Sequence, residues 1–261
     1  MTDQIEKAVE RAISAMRADL GAELTVDDLA RAALFSKFHF IRIFQRVTGV
    51  SPRRFLSALR LQQAKILLIS TSLNVSDISC RVGYNSVGTF SSRFSRSVGM
   101  SPTVYRGLGG VTREVAVGEA DDAHANGVVA GVVTSDAPGR LSDVYLGLFP
   151  GRIPEGRPAA CVVHSGLGTF IMEKVPPGQW YLLAQGVVND DEGNAPTRDG
   201  AWDAVGCRGP IEVLEDTVLD GVDIRLRPRR FLDPPVLMAL PDARTVARPA
   251  GRGSDARRTA A

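Results

Sequence analysis

Apolar residues near the start of the chain recur at steps of three and four. Ile5, Ala8, Val9, Ala12, Ile13 and Met16 fall on one face, which predicts an amphipathic first helix ending near Gly21. Thr25 and Asp28 have the pattern of a capping pair and open a short helix that buries Val26, Leu29, Ala30 and Ala33. Leu34 and Phe35 lead to Ser36, placed to cap another helix with Phe40, Ile43, Phe44 and Val47 inward and Gly49 as its stop. Ser51 then caps a longer helix with Pro52 at its first position, where a missing amide hydrogen costs nothing, and the pattern runs to about Ser70. Some nineteen residues at ~1.5 Å each make a rod of about 28 Å.

The pattern then returns. SKFHFIRIFQRVTGVSP (36–52) and SVGTFSSRFSRSVGMSP (86–102) are identical at seven of seventeen positions, and Phe55/Tyr105 extends the register. Upstream, Val75, Asp77, Ile78, Val82 and Gly83 restate the first short helix and its turn at an offset of 49, which becomes 50 once the second helix begins. One residue has been added in the second turn, at Asn85–Ser86. A short, small-residue-rich helix with a second helix packed across it through a tight turn is a helix-turn-helix, and this chain has two. Equivalent faces of a DNA major groove recur about every 34 Å, so a rod of this length can set two readers on successive turns of one duplex.

Beyond residue 125 the period changes from helical to strand-like. GVVAGVVTS, DVYLGLFP, AACVVHSG, GTFIMEKV, GQWYLLAQGVV, GPIEVLED and GVDIRLRP are short β-rich runs parted by Gly, Pro, Asp and Asn. Seven such runs without a long amphipathic helix predict a β-sandwich. The expected fold class is α + β multidomain: an all-α tandem helix-turn-helix part at 1–108, a linker at 109–125, an all-β sandwich at 126–240 and a basic, disordered tail at 241–261.

Charge sharpens this division. Residues 1–110 hold 15 Lys+Arg against 8 Asp+Glu, residues 111–228 hold 9 against 18, and residues 229–261 hold 7 against 3. Residues 37–110 carry eleven basic side chains and one acid, Asp77, which points to a polyanionic partner for that part alone. The acidic part does not assist DNA binding and is suited to restraining the basic part or facing another protein. The start of the chain has no apolar stretch for a signal peptide, and no run approaches the ~18 apolar residues of a membrane span, so cytoplasmic location and no membrane partner are expected. Cys80, Cys161 and Cys207 form no CxxC pair and read as small buried hydrophobes; no metal or cofactor is expected.

In a helix-turn-helix the N-terminal residues of the second helix reach base edges. The first copy offers Lys37, Phe38, His39 and Arg42, the last able to bond two acceptors of guanine while Phe38 touches a thymine methyl. The second copy offers Val87, Gly88, Thr89 and Ser92, poorer readers that suit methyl contact and shape readout. Ser36, Arg46, Arg53, Arg54, Ser86, Arg93 and Arg96 are expected at phosphates. Phe40, Phe44, Phe90 and Phe94 read as core.

At these residues the chain resembles the AraC/XylS family of bacterial transcription regulators. Phe44, Gly49, Ser51, Pro52, Phe55, Arg60 and Ala64 follow the family's tail pattern, and GYNSVGTFSSRFSRSVGMSPTVYR (83–106) its second signature. The resemblance covers roughly residues 5–108. It implies seven helices, binding to asymmetric promoter sites on double-stranded DNA, and contact with RNA polymerase. Most relatives carry an effector part before the DNA-binding part; here about twenty residues precede it, so a sensor of a small-molecule or protein effector is expected downstream.

The strand series 168–184, with its G-x-F, V-P-x-G and W-Y-L-L-A order, resembles prealbumin-like modules related to carboxypeptidase regulatory domains, at the level of fold alone. His124 and His164 sit apart with no nucleophile motif, so no catalytic residue is expected. NDDEGN (189–194) lacks the spacing of a calcium loop and reads as a strand connection. Tyr145, Trp180, Tyr181 and Trp202 read as core, with an apolar pocket as the alternative. Two readings of the β part stay open: an effector sensor, or an adaptor that only dimerises or docks protein. Oligomeric state is left open.

Overall fold

The computed structural model describes residues 2–110, 125–137, 140–189 and 203–238. Seven helices occupy the first stretch: α1 Thr2–Ala18, α2 Val26–Ala32, α3 Lys37–Thr48, α4 Pro52–Ser70, α5 Val75–Arg81, α6 Val87–Val98 and α7 Pro102–Gly107. Their bounds follow local chemistry. Thr25 and Asp28 form a reciprocal capping box at α2, Asn74 accepts from the Asp77 amide at α5, and Ser51 and Ser101 cap α4 and α7 ahead of a proline at the first turn. Gly49 and Gly99 end α3 and α6 at φ 78° and 93°, the left-handed conformation that glycine adopts without strain. Ser36 stands at the N-cap of α3 with extended backbone, but its hydroxyl makes no cap bond, unlike the expectation for it.

The duplication is carried into the core. Phe40, Phe44 and Phe55 stack edge-to-face with centroids 5.4 Å apart at each step, and Phe90, Phe94 and Tyr105 repeat the chain at 5.6 Å. All six rings are buried and share one cluster with Ala8, Val9, Ala12, Ile13 and Met16 of α1. Ala30 of α2 and Ser79 of α5, 49 residues apart, are small buried residues at equivalent places in the two first helices. Asn85 is the added residue: the amides of Phe35 and Tyr84, still 49 apart, donate to the carbonyls of Ala30 and Ser79 at 3.0 Å in both copies.

Eight strands follow: β1 Gly127–Ser135, β2 Arg140–Phe149, β3 Cys161–Ser165, β4 Gly168–Val175, β5 Gly178–Asn189, β6 Asp203–Val213, β7 Val218–Leu219 and β8 Ile224–Pro228. Hydrogen bonding runs in the order β3-β2-β5-β6-β8-β1-β4, with β7 on β1. Antiparallel neighbours dominate, and β8 crosses over to pair parallel with β1, so that the sheet folds back on itself. Val144, Leu146 and Leu148 of β2 and Leu182 and Ala184 of β5 face Val129 and Val133 of β1 and Phe170 and Met172 of β4 in one core. All seven anticipated runs are strands. β6 begins earlier than expected, because in AVGCR (204–208) the small Ala204 and Gly206 fall on one face and give little apolar periodicity. Trp202, His124, most of the NDDEGN run and the tail beyond 238 lie outside the described residues.

The two halves touch through two loops of the β half. Ile153 from the β2–β3 connection, and Leu232 and Leu237 from the segment after β8, join the helical core. Lys65 of α4, partly buried, donates through Nζ to the carbonyls of Val236, Leu237 and Met238 at 3.3, 3.0 and 3.1 Å. Removal from water, with repulsion from Arg229, pulls its pKa down to about 8. Cys80 and Cys207 are exposed and Cys161 half-buried, which corrects the reading of all three as buried: Cys80 lies on the outward side of α5, and the other two on the outer face of the sheet. Among the described residues no helix is long and apolar enough to cross a membrane, and no cluster of His, Cys, Asp and Glu could hold a metal.

Candidate nucleic-acid interface

α3 turns Phe40, Ile43 and Phe44 into the core, which leaves its first turn and opposite side to solvent. Phe38 is 85% exposed, so its ring is open to a partner. Lys37 pairs with Asp27 at 2.7 Å, both well exposed. His39 packs its ring on Phe35 at 4.9 Å and holds Arg42 Nη2 at 3.3 Å from Nδ1, so the arginine is oriented from within its own helix. Lys37, Phe38 and Arg42 therefore share an open surface, with His39 half-buried behind them.

The second copy repeats this geometry with different chemistry. Phe90 and Phe94 are fully buried, and Val87, Gly88, Thr89 and Ser92 are exposed at the equivalent places. Ser86 is occupied as the cap of α6, accepting from the Thr89 amide at 3.1 Å and donating to its hydroxyl at 3.0 Å.

The residues expected at phosphates fall into two sets. Ser36, Arg46, Arg53 and Arg96 are exposed and make no ion pair among the described residues. Arg54 and Arg93 are both held by Glu155 of the β half: Arg54 Nη2 reaches Oε1 at 2.9 Å and Arg93 Nη2 reaches Oε2 at 3.3 Å. Ser97 adds a hydroxyl to Oε2 at 3.0 Å, and the Gly156 amide donates to the Ser97 carbonyl at 2.6 Å. The same loop presses Arg152 against the turn ending α3, where a Cβ on Gly49 would meet Arg152 Cδ at 2.6 Å. One acidic side chain thus bridges basic groups of two helices, and its loop leans on both repeats.

Two contributors to this arrangement escaped sequence reasoning. Glu155 sits in a Pro- and Gly-rich connection where a lone acid gives no periodic signal. Lys65 was visible in principle: Leu61, Lys65 and Leu68 share the buried side of α4, which marks the lysine as a cation facing the interior. Arg60 is structural, donating to the carbonyls of Leu20, Ala22 and Gly83 and so tying α4 to the end of α1 and to the second turn. Arg106 does the same for α7 through the Leu68 and Leu73 carbonyls.

Residues 29–107 match a family described as a helix-turn-helix domain. Over 104 residues the chain is 31% identical to the lactose operon transcription activator of Staphylococcus xylosus, a match covering 40% of this chain and 37% of that protein. It is 33% identical over 95 residues to the melibiose operon regulatory protein of Escherichia coli K12, covering 36% and 32%. A solved structure from Chromobacterium violaceum, described as a transcriptional regulator with an AraC-type DNA-binding domain, is 28% identical, with 40% of this chain and 93% of that one covered at a TM-score of 0.39. The match thus spans about a third of the length of the two regulators. With the paired motifs and seven helices in place, residues 29–107 form a helix-turn-helix domain similar to those of bacterial transcription regulators.

Proposed function

We propose that the chain is a sequence-specific transcription regulator that lays α3 and α6 into successive major-groove segments of one DNA face. The observation that carries this reading is the duplicated scaffold itself, with matching buried rings and the N-terminal turn of each second helix open to solvent. On this reading Lys37, Phe38, His39 and Arg42 supply most base discrimination. Val87, Gly88, Thr89 and Ser92 supply methyl contacts and fit to groove shape. Ser36, Arg46, Arg53, Arg54, Ser86, Arg93 and Arg96 hold the backbone, Arg54 and Arg93 only once Glu155 lets go of them.

Residues 1–108 act as the reader and 126–240 as the part that receives an effector or partner. Direct packing of the β half on α4 and α6, through Lys65 and Glu155, supports a regulatory rather than a passive attachment. RNA polymerase is the second macromolecular partner that the family resemblance implies. Selection of duplexes from a random pool by the purified full chain, followed by footprinting, tests the reading. The expected outcome is an asymmetric site with two protected segments about one helical turn apart, ~10 base pairs. Retention of duplexes without sequence enrichment would refute it.

A further inference from the structure

The outer face of the β3-β2-β5-β6 layer is apolar where an ordinary sandwich faces water. Tyr145, Phe149, Leu183, Val205 and Cys207 point away from the core on alternate positions, and the loop carrying Pro154 and Pro158 and the segment 234–238 lie across them. Between sheet and cover is a cavity of about 100 Å³, open at one side. For scale, an engineered apolar cavity of about 150 Å³ takes up benzene.

Its polar equipment is sparse and uneven. Arg227 at one wall is satisfied by both carboxylate oxygens of Asp233 at 2.6 Å. Partial removal from water raises the thiol pKa of half-buried Cys161 and of Cys207, exposed as a residue, so both stay protonated at neutral pH. Gln185 is different: its Oε1 is shielded from solvent and has no hydrogen-bond partner among the described residues. An orphaned amide oxygen in an apolar cleft costs about 1 to 3 kcal/mol, which an entering hydroxyl can recover by donating to it.

We infer that this cleft binds a small aromatic or short-chain alcohol, its apolar body against the outer sheet face and its hydroxyl on Gln185. The inference rests on the reading of the β half as the effector-receiving part and names the chemistry of that effector. The cover is also the contact with the reader. Val236 and Met238 line the cleft while Leu237 between them is buried in the helical core, and the amides of Leu237 and Met238 donate to the Pro154 carbonyl at 3.0 and 3.2 Å. Pro154 adjoins Ile153 in the helical core and Glu155 on Arg54 and Arg93. A molecule that fills the cleft pushes on the strap that holds those two arginines, so occupancy changes the grip on DNA.

The cysteines provide a readout that needs no DNA. Alkylation of the full chain by N-ethylmaleimide, followed residue by residue with mass spectrometry, is run with phenol, with toluene as the matched body without a hydroxyl, and with no addition. Phenol is expected to slow labelling of Cys161 and Cys207 several-fold and to leave Cys80, exposed on α5, unchanged. Toluene protects less, by about fivefold in concentration, the worth of one hydrogen bond. Gln185→Leu, checked for an unaltered melting curve, should erase the preference for phenol, and Cys207→Phe should protect Cys161 with no ligand present. Absence of protection by phenol, or equal slowing at Cys80, overturns the inference. If a metabolite pool nevertheless raises the melting temperature, the broader effector reading stands. Protected thiols with unchanged DNA affinity would overturn the coupling through the strap.

Discussion

The two helix-turn-helix copies share a skeleton and differ in what they show to solvent. Ring for ring the cores coincide, and both second helices stop on a left-handed glycine. Outside, the first copy presents a lysine, an open phenylalanine and an oriented arginine, whereas the second presents valine, glycine, threonine and serine. The second also has an arginine and a serine taken up by the β half. Packing constrains the residues that face inward, and the outward ones are left to diverge. A repeat can therefore keep one fold while dividing the labour of recognition between its copies.

The comparison can be broken most severely at its buried rings. Phe44→Ala and Phe94→Ala should each cost about 3 to 5 kcal/mol in denaturant unfolding, with the two losses alike. A large inequality would mean that the copies do not share one core. Lys65 tests the docking on which the difference between the copies depends. Its pKa is lowered in the folded state, so folding pays to bury the charge fully below about pH 8 and recovers that cost as pH rises toward the unfolded value of 10.5. Stability of the native chain minus that of Lys65→Met should climb by a few kcal/mol across that window, about 1.4 per unit at steepest. A flat difference removes the buried charge from the account.

Smaller effects separate the outward faces. Arg42→Ala should relax preference at one base pair by about 1 to 3 kcal/mol, while Arg96→Ala weakens all sequences alike and lowers the salt slope by about 1. Equal losses of specificity from both would end the division of labour. Glu155→Gln should tighten DNA binding by about 1 kcal/mol, roughly fivefold, by releasing Arg54 and Arg93 for phosphates. Unchanged affinity would mean that the two arginines stay away from the backbone.

The smallest effects come from exchanging residues between copies. Leu34 holds φ 61° where the second copy has Gly83 at 79°, so Leu34→Gly should stabilise the fold by about 1 kcal/mol. Ser79 buries a hydroxyl unpaired among the described residues where the first copy has Ala30, and Ser79→Ala should give a similar gain in thermal unfolding.

Much of this was legible in the order of residues. Thr25 and Asp28, Ser51 and Pro52, and the two terminal glycines are helix boundaries whose chemistry acts within four residues, and each appears where expected. Strand runs with clear apolar alternation were equally readable. Less so was β6, whose inward positions include Ala204 and Gly206, too small to mark a face; Gly206 packs there against Ile224 and Leu226 of β8. Ser36 stands at the expected N-cap position of α3, yet a residue suited to that position need not turn its hydroxyl to the backbone.

Local chemistry and the repeat determined seven helices, their order, the buried rings and the side chains on the outer face of α3, because these depend on contacts close in sequence or on a period that residues impose on their neighbours. Only the tertiary structure decided that Glu155 would reach Arg54 and Arg93, 101 and 62 residues away, and that Lys65 would be closed over by carbonyls more than 170 residues distant. It also decided that an apolar outer sheet face would be roofed by the strap that grips the helices. Such contacts arise where two separately folded surfaces meet, and their partners are matched by shape and charge in space, which leaves no spacing in the chain to read.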